Sequence, residues 1–130
     1  MKTATPQAVA TDGDGSPFTV RQLLRIDEAL TVADRQTGLT FSVYVGPLHE
    51  PTVGAARGLH DKLDDPSKSV LLAVSPEQRQ LEIVTGETAQ KRIPDRSAAL
   101  AALSMTAYFG GGDLASGIVT GLRMLADQAS

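Results

Sequence analysis

The segment SVLLAVSPEQRQLEIVTG, residues 69–86, constrains the fold of this chain more than any other stretch. Its first part, residues 70–74, is an unbroken apolar run, which is typical of a strand covered by helices on both faces. Its last part, residues 80–85, alternates polar and apolar side chains, which indicates a strand with one deeper face. Pro76 fixes φ in the polar connection between them, as turns require. The segment therefore predicts a β-hairpin against which the other elements pack.

The patterns around this hairpin indicate an α/β fold. An amphipathic helix with a capping-box start at Thr19 and a glycine cap at Gly38 precedes a third alternating strand, residues 39–46. Strand, helix and strand in that order predict a crossover, so the first two strands are parallel and the hairpin partner is antiparallel. We expect a three-layer α/β/α sandwich with a small central mixed sheet of three or four strands and four or five flanking helices, in one domain covering residues 17–130.

The C-terminal part of the chain contains two helical patterns. Asp95 is expected to cap a long Ala-rich segment, residues 96–108, which carries Leu100, Leu103 and Met105. Gly117 and Gly121 lie four residues apart on the last helix, where the missing side chains allow a neighbouring backbone to approach closely. This spacing predicts tight packing of that helix on the sheet.

Composition excludes several classes of function. The chain has 130 residues and a net charge of −3 without a cluster of basic residues, so we do not expect nucleic-acid binding. It has no cysteine, which excludes disulfides and thiolate metal sites. It also lacks the run of about 20 apolar residues that crosses a bilayer, so we expect no membrane insertion and a cytoplasmic location. Residues 1–16 are polar, glycine-rich and aperiodic, which predicts a disordered tail.

Three stretches in a fixed order resemble the TPM domain family. The first is the strand LTFSVYVG, residues 39–46, after an amphipathic helix; the second is the hairpin at residues 69–86. The third is YFGGGD, residues 108–113, followed one helical turn later by Gly117. The resemblance covers about residues 18–127 and implies an α/β/α sandwich with a small sheet. It also implies a possible acid phosphatase activity, because the family is described in part by that activity.

The chain departs from the TPM pattern where a metal would be held. Many members carry Asn-Gly before the apolar strand and an Asp-rich turn after it. Here those places are Lys68-Ser69 and SPEQ, residues 75–78. Carboxylates that could bind a divalent cation are therefore fewer than the resemblance would imply.

Four aspartates remain as candidate metal ligands. A metal-assisted phosphatase needs two or three carboxylates that converge on a hard cation and orient a water molecule. The candidates are Asp64 and Asp65 before the apolar strand, together with Asp95 and Asp113 at the starts of the last two helices. The alternative is structural: the first two form a polar turn, and the other two are helix caps, each worth about 1 kcal/mol.

No residue is assigned a catalytic role. His49 and His60 are the only histidines, and neither has a serine placed as a recognisable partner, so we expect both on the solvated surface. The glycines of residues 110–112 could offer backbone N–H groups to an anion, but Asp113 already occupies that helix N-terminus. We therefore expect a capped helix there and not a phosphate cradle.

The sequence thus favours a non-catalytic, TPM-like domain that acts through contacts with an unknown protein partner. Two alternatives stay open: a small phosphatase that depends on a divalent cation, and a small-ligand binder that uses a crevice at the strand ends. No cofactor is expected, although calcium or magnesium is possible at the four aspartates. We expect a monomer or a weak homodimer.

Overall fold

The computed structural model describes residues 17–130, and the tail predicted at residues 1–16 lies outside them. Three strands and five α-helices follow one another along this part of the chain, with one short 3-10 helix. They are α1 (Val20–Thr37), β1 (Thr40–Val45), α2 (Thr52–Asp61), the 3-10 helix (Pro66–Lys68), β2 (Ser69–Ser75), β3 (Gln80–Thr85), α3 (Glu87–Arg92), α4 (Asp95–Gly110) and α5 (Leu114–Ala129).

The three strands form one mixed sheet in the order β1-β2-β3. β1 and β2 run parallel with Thr40 opposite Ser69, and β2 and β3 run antiparallel with Val70 opposite Thr85. Every residue of the central strand β2 is buried, as its unbroken apolar run predicts. The hairpin and the parallel crossover are therefore both confirmed.

Helices cover both faces of the sheet, which confirms the α/β/α arrangement. On the larger face, α5 contacts both α1 and α4, while α1 reaches β1 and α4 reaches β3. The core there includes Phe41, Leu72, Ile118 and Leu122, all fully buried. On the smaller face α2 packs on β2 and β3 over a second cluster around Leu71.

The predicted ends of α1 are confirmed in detail. The Thr19 hydroxyl accepts from the Gln22 backbone N–H, and the Gln22 side chain accepts from the Thr19 backbone N–H, so both halves of the capping box form. The helix ends at Gly38 with φ of 79°, a left-handed conformation that costs a glycine little. These two caps set where the chain turns into β1.

The predicted packing of the last helix through its glycines is wrong. On α4, Ala101 and Met105 are fully buried, whereas Leu100 and Leu103 on its opposite side are 53% and 67% exposed. Gly117 and Gly121 pack against α4 and not against the sheet: a Cβ atom at residue 117 would lie 2.8 Å from Cδ1 of Phe109. The glycine side of α5 lies against its neighbouring helix.

Ser42 in β1 carries a buried hydroxyl that has no hydrogen-bond partner in the part of the chain that the structure describes. A buried hydroxyl without a partner is destabilising, so we expect Ser42→Ala to raise the free energy of unfolding by about 1 kcal/mol. Ser69→Ala is the matched control, because the Ser69 hydroxyl donates to the Asp65 carbonyl over 2.7 Å and its loss should destabilise. Urea unfolding measures both changes; equal destabilisation by the two substitutions would contradict this account.

Candidate functional site at the strand ends

A crevice of about 350 Å³ opens at the carboxyl ends of the parallel strands β1 and β2. Ligands of open α/β sheets bind outside the carboxyl ends of parallel strands, so the position is a usual one for a site. Eight residues line the crevice: Pro17, Val45, Gly46, Pro47, Ser75, Pro76, Glu77 and Gln78. They come from the start of α1, the end of β1 and the β2–β3 turn.

Gln78 holds two walls of the crevice together. Its Oε1 accepts from the Leu48 backbone N–H over 2.8 Å, and its Nε2 donates to the Leu48 carbonyl over 2.9 Å. The Ser75 hydroxyl donates to the same Oε1 over 2.6 Å, which fixes the amide orientation. The β2–β3 turn is therefore fastened to the loop after β1, and the crevice is pre-formed.

The walls of the crevice are mainly apolar. Three of the lining residues, Pro17, Pro47 and Pro76, present pyrrolidine rings and no backbone N–H. Gly46 admits the Tyr44 ring, since a Cβ atom at residue 46 would lie 2.7 Å from the Tyr44 hydroxyl. That hydroxyl donates to the Pro47 carbonyl over 2.7 Å and so holds Pro47 in its position in the crevice wall.

Glu77 supplies the one formal charge among the residues that line the crevice. Its side chain is exposed at the tip of the β2–β3 turn. A rim carboxylate attracts positive charge from solution, while the proline walls favour an apolar group. The site is therefore suited to an apolar group that carries a cation next to it.

The structure does not gather the four aspartates predicted as metal ligands into a group of three or more ligand-type side chains within its described part. Among residues 17–130, no three His, Cys, Asp or Glu side chains are placed so that they could hold an ion. Asp64 and Asp65 are exposed before the 3-10 helix. Asp95 is the first residue of α4, whose N-cap is Pro94, so its predicted capping role is wrong; its carboxylate accepts from the Gln90 amide over 3.1 Å.

Asp113 caps α5, as the structural alternative predicts. Its carboxylate accepts from the Ser116 backbone N–H over 3.0 Å. The hydrogen bonds from Ser116, and secondarily the positive charge of Arg25, hold the pKa of Asp113 below its ordinary value. Hydrogen bonds to the ionised form stabilise that form.

Because the pKa of Asp113 is lower in the folded state, its stabilising effect exists above the ordinary pKa of about 3.8. It is lost as the pH falls through the lower, folded pKa. We expect Asp113→Ala to lower the melting temperature at neutral pH and to have little effect near pH 2. Thermal unfolding at both pH values measures this; an equal loss at both would contradict the assigned cause.

The two histidines lie in different environments. His49 is exposed, as predicted, but His60 is only 5% exposed, so the predicted surface position for His60 is wrong. The last turn of α2 directs the His60 ring against β2, where Nε2 lies 2.9 Å from the Ser69 carbonyl oxygen. A carbonyl can only accept, so this nitrogen donates. The ring therefore has a structural role between α2 and the sheet.

Sequence reasoning missed Gln78, the residue that shapes the crevice. Its partner Leu48 is 30 residues earlier in the sequence. A glutamine in a turn belongs to no sequence pattern that predicts such a long-range contact. Asp34 was also missed: its carboxylate accepts from the Phe41 backbone N–H over 2.8 Å and covers part of the outer edge of β1. An acidic residue six positions before the strand was the only available signal.

Fold and crevice together define the class of protein: a small α/β/α sandwich with a mixed three-stranded sheet and an open strand-end crevice. Within that class, the family model described as "Domain of unknown function (DUF5130)" matches residues 4–126. The chain therefore belongs to the DUF5130 family. It is 34% identical over 110 residues to the uncharacterized proteins MT2543 and Rv2468c of two Mycobacterium tuberculosis strains. That match covers 85% of this chain and 66% of the relatives' length.

Solved structures share the fold at low sequence identity. The BA42 protein of the psychrophilic bacterium Bizionia argentinensis matches with a TM-score of 0.79 at 17% identity, covering 89% of this chain and 83% of that chain. The N-terminal domain of a P. gingivalis protein matches with a TM-score of 0.69 at 18% identity, over 98% and 92% of the two chains. The N-terminal domain of cg2496 from Corynebacterium glutamicum matches at 0.67 and 15%, over 87% and 74%. These likenesses show the architecture alone.

None of the helices in residues 17–130 is both long enough and apolar enough to cross a bilayer.

Proposed function

We propose that this protein is a non-catalytic binding domain that docks a short segment of a partner protein in the strand-end crevice. The observation that carries the proposal is the crevice itself, about 350 Å³ at the carboxyl ends of β1 and β2. The Gln78 amide holds its two sides in place through the Leu48 backbone. A pre-formed site spares the ordering cost that a mobile one incurs on binding.

The lining predicts what the docked segment carries. The rings of Pro17, Pro47 and Pro76 favour an apolar side chain, and Glu77 at the rim favours a lysine or arginine beside it. The lining offers no second charge that would bind a phosphate or a carboxylate. We therefore expect a segment in which an apolar residue adjoins a basic one.

A random peptide library displayed on phage tests this proposal. We expect selection on the wild-type protein to enrich peptides with adjacent apolar and basic residues. Charge reversal at the rim, Glu77→Lys, should weaken their binding at least about tenfold, equivalent to 1.4 kcal/mol. Fluorescence anisotropy of labelled peptides measures the dissociation constants.

Asp61→Lys is the matched control, because it makes the same charge change at the end of α2, outside the residues that line the crevice. We expect it to leave the peptide affinity unchanged. Selected peptides that lack basic residues, or that bind Glu77→Lys as well as the wild type, would refute docking in the crevice.

A small-molecule ligand is the second candidate for the same crevice. Its volume falls within the range of about 300–1,000 Å³ in which small-molecule sites are found. A fragment screen by nuclear magnetic resonance distinguishes the two candidates. Fragments that bind there at micromolar concentration, while the library gives no crevice peptide, would favour the small-molecule reading.

Phosphatase activity with a divalent cation is the alternative that the TPM resemblance raises. It is less well supported, since no three acidic or histidine side chains in the described part of the chain are grouped for an ion. We expect calcium and magnesium at a hundredfold excess over a useful dissociation constant to leave the melting temperature unchanged. An occupied site would add about 2.7 kcal/mol. Hydrolysis of a phosphomonoester that needs the metal and is abolished by Asp64→Asn would contradict the non-catalytic proposal.

We also propose that the DUF5130 domain is a divergent relative of the TPM domain. The order of the three resembling stretches supports this, as does the placement of YFGGGD, residues 108–113, at the junction of α4 and α5. Superposition on a TPM-domain structure tests it. A different strand order, or a helix break at another place, would refute the relationship.

The cytoplasmic location expected from the sequence is likewise a proposal, supported by composition. Cell fractionation with antibody detection tests it. Recovery of the protein in the membrane or in the culture medium would refute it.

A further inference from the structure

The outer edge of β3 is open. The Gly86 backbone N–H donates to the Ser69 carbonyl over 2.9 Å and extends the β2–β3 ladder by one pair. Because hydrogen-bonded pairs alternate in an antiparallel ladder, the backbone groups of Leu81, Ile83 and Thr85 point away from β2. Within residues 17–130 these groups have no further hydrogen-bond partner.

β3 carries no proline, lysine or bulge, three of the devices that protect edge strands. Its sequence is QLEIVT, with an unbroken register to β2. Its one charged side chain, Glu82, accepts from the Thr52 hydroxyl over 2.7 Å and is held against α2. The edge is therefore free to pair with another strand.

An independent observation lies on the same side of the molecule. α4 packs on α5 and on β3, on the larger face of the sheet. Its solvent side carries Leu100 and Leu103, which are 53% and 67% exposed. The open strand is therefore in contact with the helix that carries this apolar surface.

We propose that this side of the molecule, β3 with the outer surface of α4, is the interface of a homodimer. A two-fold axis at Ile83 would pair β3 with β3 of the second copy in antiparallel register and give a continuous six-stranded sheet. In that register Ile83 faces its own copy, Leu81 faces Thr85 and Glu82 faces Val84. No two like charges are opposed, so the strand is complementary to itself.

The same axis relates the two α4 helices in antiparallel orientation, which brings Leu100 of one copy toward Leu103 of the other. The exposed positions 96, 100, 103 and 107 form that surface, and Arg96 is the one charged residue among them. With Leu100 opposite Leu103, Arg96 lies opposite Ala107 of the other copy, 11 positions further along the sequence. Antiparallel packing separates the two Arg96 side chains by about 16 Å along the axis, more than the Debye length of about 8 Å in physiological salt. Repulsion between them is therefore screened.

The size of the surface predicts a weak dimer. β3 spans about 20 Å and α4 about 24 Å, and the sheet and helix layers lie about 10 Å apart. Such a surface is at the low end for specific interfaces, so we expect dissociation in the micromolar range. The crevice is at the strand ends and does not take part, so this inference is independent of the proposed function.

Hydrogen exchange at rising protein concentration tests the interface. We expect the amides of Leu81, Ile83 and Thr85 to exchange at least about tenfold more slowly as the dimer forms. The amides of Glu82 and Val84, which bond to β2, should be protected at every concentration. Slow exchange at the first three amides in the monomer, or exchange independent of concentration while the protein dimerises, would overturn the proposal.

Sedimentation velocity on a second variant completes the test. The double substitution Leu100→Glu and Leu103→Glu should raise the dimer dissociation constant at least about tenfold, because both side chains are exposed and the fold does not depend on them. The matched control is Val20→Glu with Leu24→Glu, an apolar pair on α1 that is 74% and 64% exposed. A monomer at submillimolar concentration, or equal effects of the two double variants, would overturn the proposal.

Discussion

Gly86→Ala is expected to destabilise the protein by about 3 kcal/mol or more, since this overlap exceeds an ordinary overpacking of about 1–3 kcal/mol. A Cβ atom at residue 86 would overlap the Pro66 carbonyl oxygen and lie 2.5 Å from that of Ser67. Both are backbone atoms of the 3-10 helix and cannot rotate away. Gly86 has an ordinary φ of −70°, so the cost is steric and not conformational.

The same residue makes two hydrogen bonds, one to the start of β2 and one to α3. Its N–H donates to the Ser69 carbonyl, and its own carbonyl accepts from the Gln90 N–H within α3. Displacing residue 86 would loosen both, as well as the Ser67–Thr88 hydroxyl contact of 2.7 Å beside it. We therefore expect the loss of stability to extend over the 3-10 helix and α3.

Gly58→Ala is the matched control, since nothing lies within 4 Å of a Cβ atom built at residue 58. Alanine in a helix interior is more stable than glycine, so this change should stabilise the protein by about 1 kcal/mol. Urea unfolding of both variants gives the two free energies. Equal stability of Gly86→Ala and the wild type would show that the close backbone approach is absent in solution.

Gly121→Ala is expected to destabilise the packing of α5 on α4 by about 2 kcal/mol. A Cβ atom there would overlap the Met105 sulfur and lie 2.7 Å from Cγ of Met105, whose side chain is fully buried. Met105→Ala alone should cost about 2–5 kcal/mol through the cavity that it leaves. In the double variant the new methyl group enters space that the methionine has vacated.

A double-mutant cycle measures that compensation. We expect the combined loss of unfolding free energy to be at least about 1 kcal/mol smaller than the sum of the two single losses. Gly117 offers a comparison, since a Cβ atom there meets the Phe109 ring and not the methionine sulfur. Its combination with Met105→Ala should show a smaller coupling. Additive losses for residues 105 and 121 would contradict direct contact between them.

The sequence predicts the sheet because its signals are local and strong. All of residues 70–74 are apolar, so none of them is suited to face water. A strand buried on both faces is therefore the simplest interpretation of this run. The ends of α1 were equally predictable, since Thr19, Gln22 and Gly38 each satisfy a backbone requirement within a few residues. The spacing of the apolar residues and the capping residues of the helices together predict the layers and their order.

The remaining features depend on contacts between distant residues. The Gln78 amide meets Leu48 and thereby forms the crevice, and His60 meets Ser69 through the packing of α2 on the sheet. Leu100 lies on the outer side of α4, where it is 53% exposed. Neither a turn glutamine nor an exposed leucine carries a sequence signal for such a role.

The account rests on the strand-end crevice as the binding site, and a chemical-shift map with saturating peptide tests it most directly. We predict that the largest amide shifts of the library-selected peptide complex fall on Val45, Gly46, Glu77 and Gln78, which line the crevice. The amide protons of β3 and α4 should remain unchanged at constant protein concentration. Shifts confined to β3 and α4, or to the acidic turn at Asp64 and Asp65, would contradict the central claim.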